Sequence, residues 1–216
     1  LLVALVTGDM IAGEANLGTL RLLLTKPVSR GTLLLAKFTA GLAYTFLLLI
    51  WMAILSLFGS MLFFGTSDLL VNKSYTIIQF YVDNQGDDVF WRYIAAFGLA
   101  FLALATVAAL SFMLSIFAEN SIGPIVSTMS IIIVFTIIST MDLPLFTKIN
   151  PYLFTSYMTS WKGFFDMATD PATGSAIRGS VYSTGALVQA GGILLLHIVG
   201  FFGTGYFFFR KKDILS

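Results

Sequence analysis

The chain has 216 residues, of which 57% are hydrophobic and only 11% charged, with a mean hydropathy of +0.91. Soluble domains carry about a quarter charged residues, so too little charge is present to coat an ordinary core, and lipid is the solvent that fits. A net charge of +1 excludes the basic footprint of a nucleic-acid binder. No cysteine and a single histidine exclude thiolate and His-cluster metal sites.

Leu1–Val6 reads as the apolar tail of a helix whose beginning lies upstream, which makes the chain a fragment with an N-terminal portion missing. A helix needs about 20 predominantly apolar residues to cross a bilayer, and four stretches qualify. The first, 32–64, holds one charge, Lys37, near its start. At 1.5 Å per residue it would extend roughly 50 Å, so it must tilt, break near Gly59 or continue beyond the membrane. Spans 93–117 and 122–141 follow, joined by the short polar turn Ala118–Ser121, and 187–209 is the last, stopped by Arg210–Lys212. Residues 1–8 are the end of a further span.

Basic residues near the span ends set orientation. With the C-terminus inside, seven basic and four acidic residues lie on the cytoplasmic side, against five and seven outside. That leaves two external segments, 65–92 and 142–186. The run Asp83–Asp88 is acid-rich but lacks the spacing of a calcium loop. The second segment holds Pro144, Pro151, Tyr152, Tyr157, Trp161, Phe164 and Phe165, aromatics that suit short helices anchored in the interface; a substrate-facing lid is the other reading.

The cytoplasmic segment 9–30 carries the most information. Leu17, Leu20 and Leu24 share one helical face, and Glu14, Gly18, Arg21 and Thr25 the opposite one. This predicts a short amphipathic helix over Glu14–Thr25 that Pro27 ends, with Ser29 capping the long span behind it. Physics alone allows an interfacial helix that merely anchors the loop. The residues Glu14, Gly18-Thr19-Leu20-Arg21, Leu23-Leu24 and Pro27-Val28-Ser29-Arg30, followed by Lys37, also resemble the signature E-x3-G-T-x3-L-L-x2-P-x-S-R of ABC-2-type transporter permeases. Ile149-Asn150-Pro151-Tyr152 is similar to that family's Asn-Pro element, and Phe209-Arg210-Lys211-Lys212-Asp213 to its basic end.

The resemblance implies an all-α integral membrane fold, a six-span bundle of which the first span and part of the second are missing here. It implies cytoplasmic termini in a bacterial inner membrane, dimerisation with a second copy or a paralogue, and two cytoplasmic ABC ATPase subunits that bind the ATP and magnesium. The segment around Glu14–Thr25 becomes a coupling helix, with Glu14, Gly18, Thr19, Arg21, Lys26, Pro27 and Arg30 toward the ATPase and Glu119 in a second, smaller contact. Leu17, Leu20 and Leu24 then face membrane or bundle. The chain has no G-x4-G-K-[ST] phosphate loop and is not expected to be an enzyme. Its function is then that of the permease subunit of an ATP-driven exporter. The alternatives are a mechanotransmitter acting on an external partner, and an ion-coupled carrier or channel. His197 and Gln189 lie inside the last span, where ionisable groups are functional candidates. Packing and contact with a proton or substrate both fit His197. Small residues four apart, Ala96/Ala100, Ala105/Ala109 and Gly200/Thr204, predict close helix contacts.

Overall fold

The computed structural model describes residues 1–19, 29–65, 69–71, 76–78, 89–141, 144–166, 168, 170–173 and 180–211. Among the described residues six α-helices carry the architecture: α1 (Leu2–Asn16), α2 (Arg30–Phe64), α3 (Val89–Phe117), α4 (Ile122–Thr140), α5 (Pro144–Ile149) and α6 (Thr184–Lys211). Four of them, α2, α3, α4 and α6, are long and apolar enough to span a membrane. In hydrocarbon each backbone N–H and C=O must be satisfied within its own segment, so continuous helices are what these sequences form.

For the long span the sequence left tilt, a break near Gly59 and continuation beyond the membrane open. The long span does not break at Gly59: α2 runs for 35 residues and ends only at Gly65, whose φ is +75°. At 1.5 Å per residue it is about 52 Å long, well over the roughly 30 Å hydrocarbon core. Its predicted cap is present, with Ser29 Oγ accepting the Thr32 N–H at 3.1 Å. The first helix also continues past residue 8, through Asp9 and Glu14 to Asn16. Both acids stay helical because each finds a partner beside it. Gly18, with φ +71°, turns the chain, and the Leu17 N–H reaches Gly13 O at 3.0 Å, a left-handed helix stop that glycine makes without steric cost. Of the amphipathic helix expected over Glu14–Thr25, the described part turns at Gly18, and residues 20–25 lie outside the described residues.

The central helix is α3. Two thirds of its apolar window is buried, against none of that of α2, and it packs on α1, α2, α4 and α6. Small residues permit this: Ala96, Ala103, Ala105, Ala108 and Ala109 are all buried, and lipid-embedded helices associate through such close backbone approach rather than through hydrophobic exclusion. Of the predicted small pairs, Ala105/Ala109 lies in this interface, whereas Gly200 and Thr204 face outward. At the inner end, Ile11, Leu34, Phe38, Phe112, Ile116 and Phe209 form one apolar cluster. Toward the outer end a second gathers Leu99, Leu110, Phe154, Leu187 and Leu194.

The outer connections hold two further features. A short antiparallel ladder pairs β1 (Leu69–Val71) with β2 (Thr76–Ile78), the one departure from helix among the described elements. The Asp83–Asp88 run lies outside the described residues. After α5, three 3-10 turns, Asn150–Tyr152, Phe154–Tyr157 and Ser160–Phe165, fold back onto the bundle. Phe154 is 1% exposed, and Tyr157, Trp161 and Phe164 pack around the outer cluster. These aromatics therefore face protein, while Tyr152 is 77% exposed.

Candidate functional site

At the inner end α1 packs against both α2 and α4. Lys37 Nζ lies 2.5 Å from Glu14 Oε1 and donates to Met10 O at 3.1 Å. The pair is partly withdrawn from solvent, the two side chains being 17% and 30% exposed, and Glu14 Oε2 is buried with no partner among the described residues. Sequence reading gave Glu14 to the contact with a partner; in the fold it lies near the end of α1 and pairs with Lys37 of α2 while its side chain stays 30% exposed. Lys37 belonged to the quoted motif but received no role, since its partner lies 23 positions away and no local spacing reveals it. Together the two residues bind the base of the connector, so α1 and α2 cannot separate there without breaking an ion pair.

Thr19 Oγ1 donates to Glu14 O at 3.3 Å, closing the turn at Gly18. Leu17 is 76% exposed and lies on no bundle face. Arg21, Lys26 and Pro27 fall in 20–28, outside the described residues. Arg30 opens α2 beside the cap. The second contact region is the turn before α4: Ser121 donates to Asp9 Oδ1, and Asn120 Oδ1 accepts the Gly123 N–H at 3.0 Å. Glu119 is exposed in this turn. The structure thus brings Glu14, Gly18, Thr19 and Arg30 to one end of the bundle, with Asp9 and Ser121 as a link that the sequence did not suggest.

Hydroxyl groups lock α1 to α3 above this end. Ser115 Oγ accepts from the Ile11 and Ala12 N–H groups at 3.1 and 2.9 Å, and Ser111 donates to Ala4 O at 2.7 Å. A Cβ on Gly8 would lie 2.8 Å from Ser111 Oγ, so glycine there is what lets the two backbones approach. At the outer end Arg92 is fully buried. It donates to Phe164 O at 2.6 Å and Ser180 O at 2.7 Å, pinning both ends of the stretch between them; a guanidinium fork suits two acceptors at once.

Within α6, His197 Nδ1 lies 2.8 Å from Ile193 O, and its ring sits 5.7 Å from both Phe154 and Phe201. Those contacts place it in an aromatic group at mid-helix. Gln189 is exposed on the outer third of the same helix, so the two candidates are not brought together. Among the described residues no group of three metal-ligating side chains occurs.

Apolar spans around a small-residue central helix, with polar connectors gathered at one end, define a multi-pass helical membrane protein. The family described as ABC-2 family transporter protein matches residues 1–214, and the chain belongs to it. It is therefore a membrane component of an ABC-type transporter, a family that associates with ABC ATPase subunits. No curated protein and no solved structure matches the chain.

Proposed function

We propose that the chain is the permease subunit of an ATP-driven exporter, that it forms the translocation path as a dimer with a second copy or a paralogue, and that separate ATPase subunits holding ATP and magnesium drive it. The observation that carries this reading is the gripped connector. Whatever pushes on residues 17–29 acts on α1 and α2 together, through the Glu14–Lys37 pair, and α1 passes the movement to α3 through Ser111 and Ser115. Coupling between sites needs an element with two arrangements that both ends bias, and a docked segment clamped to two helices meets that need. In this reading Arg21, Lys26, Pro27 and Arg30 face the ATPase, Glu119 makes the second contact, and Glu14 transmits rather than binds. In the same reading Gln189 and His197 of α6 are the candidates for the translocation path.

The test is affinity purification of the full-length protein in mild detergent, with co-purifying proteins identified and ATP hydrolysis assayed. A stoichiometric ATPase that is lost on Arg21→Glu supports the reading. Recovery of the protein alone in several detergents overturns it and favours a carrier that needs no ATPase.

A further inference from the structure

The inner part of α1 carries a second acid that the connector mechanism does not use. Glu14 pairs with Lys37 of α2, whereas Asp9 turns to the other side, where its Oδ1 accepts the hydroxyl of Ser121. Ser121 is the residue before α4, and it closes the turn from α3 that bears the exposed Glu119. Within that turn Asn120 Oδ1 accepts the Gly123 N–H at 3.0 Å. The turn is therefore braced internally, and the Asp9–Ser121 bond fixes where it sits against α1.

Two glycines of α1 are shaped to this contact. A Cβ on Gly8 would lie 3.2 Å from Ile125 Cγ1 and 3.4 Å from Pro124 Cβ, so the first turn of α4 can lie against α1 only because position 8 has no side chain. Gly13 stands one helical turn beyond Asp9. The three nearest atoms that a Cβ there would meet all belong to Asp9: it would fall 2.8 Å from Cγ and overlap Oδ1. The carboxylate thus fills the space that a side chain at 13 would take. Gly13 lies in regular helix and not at a positive φ, so conformational freedom is not its use. Glycine weakens a helix interior relative to alanine, and the seat it makes for Asp9 is what that weakness accompanies.

We propose that Asp9 is a positioning residue. Seated by Gly13 and bonded to Ser121, it keeps the α3–α4 turn in fixed register with α1, so that this turn and the start of the connector at Leu17–Thr19 move as one body. A force applied to two contacts reaches the bundle in full only if the two do not slip against each other. That α1 is the lever shared by both ATPase contacts rests on the exporter reading; the lock itself rests on the geometry alone.

The experiment uses full-length protein in nanodiscs, alone and with its ATPase. None of the 216 residues is cysteine, so spin labels can be placed on Leu17→Cys and Ile122→Cys, positions 76% and 72% exposed, and their separation read by double electron–electron resonance. The parent should give one narrow distance, which trapping the ATPase with ATP and vanadate leaves unchanged. Asp9→Ala and Ser121→Ala should add a second distance, the locked-to-unlocked ratio falling about five- to tenfold for a partly exposed bond to a charged acceptor. Asp9→Asn keeps an acceptor and Ser121→Thr a hydroxyl, so both should restore the single distance. Gly13→Ala separates positioning from folding. Alanine is the better helix former, so this variant should unfold no earlier than the parent, yet its Cβ displaces the carboxylate and should unlock the turn as Asp9→Ala does. Added to Asp9→Ala, it should change the distances no further. An unchanged single distance in Asp9→Ala and Gly13→Ala, or a parent distance that shifts on vanadate trapping, overturns the proposal. Either result with the ATPase still bound leaves the exporter reading standing; an unlocked turn in the variants of a protein that recruits no ATPase sinks that reading and keeps the lock.

Discussion

Replacing Lys37 by methionine removes one partner of the Glu14–Lys37 pair while keeping most of the side-chain volume. At 2.5 Å and an effective dielectric near 20, the gross attraction is about 6–7 kcal/mol. Desolvation offsets several kcal/mol of that per fully buried ion, and ordering the lysine stem up to about 2 kcal/mol more. The net value of the pair is then about 1–2 kcal/mol. The single variant should lose more than that, because Glu14 is left partly buried with one oxygen already lacking a partner. Its expected cost is about 2–3 kcal/mol, between the 0–1 of exposed pairs and the 3–5 of buried ones. Glu14→Gln with Lys37→Met removes the stranded charge and should return to within about 1 kcal/mol of wild type. Reversible unfolding of all four proteins in mixed micelles, followed by tryptophan fluorescence, gives the coupling energy from the cycle. If Lys37→Met proves as stable as the parent, or the double variant is worse than the single, the pair does not hold the base of the connector.

Ser115→Ala deletes the acceptor shared by the Ile11 and Ala12 N–H groups and should cost about 0.6–1.7 kcal/mol in the same unfolding assay. Arg92→Lys can satisfy only one of the carbonyls of Phe164 and Ser180; limited proteolysis should then cut beyond Phe165 faster in the variant than in the parent. Asp170 is a perturbed acid outside the spans: the Ala172 N–H and then the Thr173 hydroxyl hold its pKa below the usual 3.8. A depressed folded value means that the ionised carboxylate holds this turn above the unfolded pKa, and that the contribution fades as pH falls through the lowered one. An NMR titration of Asp170 with its midpoint below 3.8 checks this, and Thr173→Ala should move the midpoint up.

The spans were legible because a continuous apolar run is a one-dimensional signal, and 122–141 and 187–209 lie within two or three residues of α4 and α6. The cap at Ser29 was legible for a similar reason, since its partner is three residues away. What the sequence hid was pairing across distance. Nothing local tells Glu14 to seek Lys37 rather than solvent, or tells a serine at 115 to serve the backbone of α1. The helical wheel that joined Glu14 to Arg21 assumed one continuous helix, and Gly18 is compatible with that wheel until its φ is known to be +71°. The aromatics of 142–186 were read as anchors because composition marks the interface but not which side of a ring meets protein.

A lipid-embedded bundle gains little from hydrophobic exclusion between its helices, so its specificity must come from polar contacts and close packing. Several of the described contacts of that kind run through α3: Ser111 and Ser115 to α1, Arg92 to the folded-back segment, and Thr106 to Leu194 O of α6. Among the described residues, four buried side-chain oxygens have no hydrogen-bond partner: Glu14 Oε2 beside the inner connector, and Asn150 Oδ1, Thr155 Oγ1 and Ser156 Oγ in the 3-10 turns. A fold optimised for stability alone would fill such sites with apolar side chains. At the inner site the Lys37→Met cycle measures what the charged pair contributes in their place.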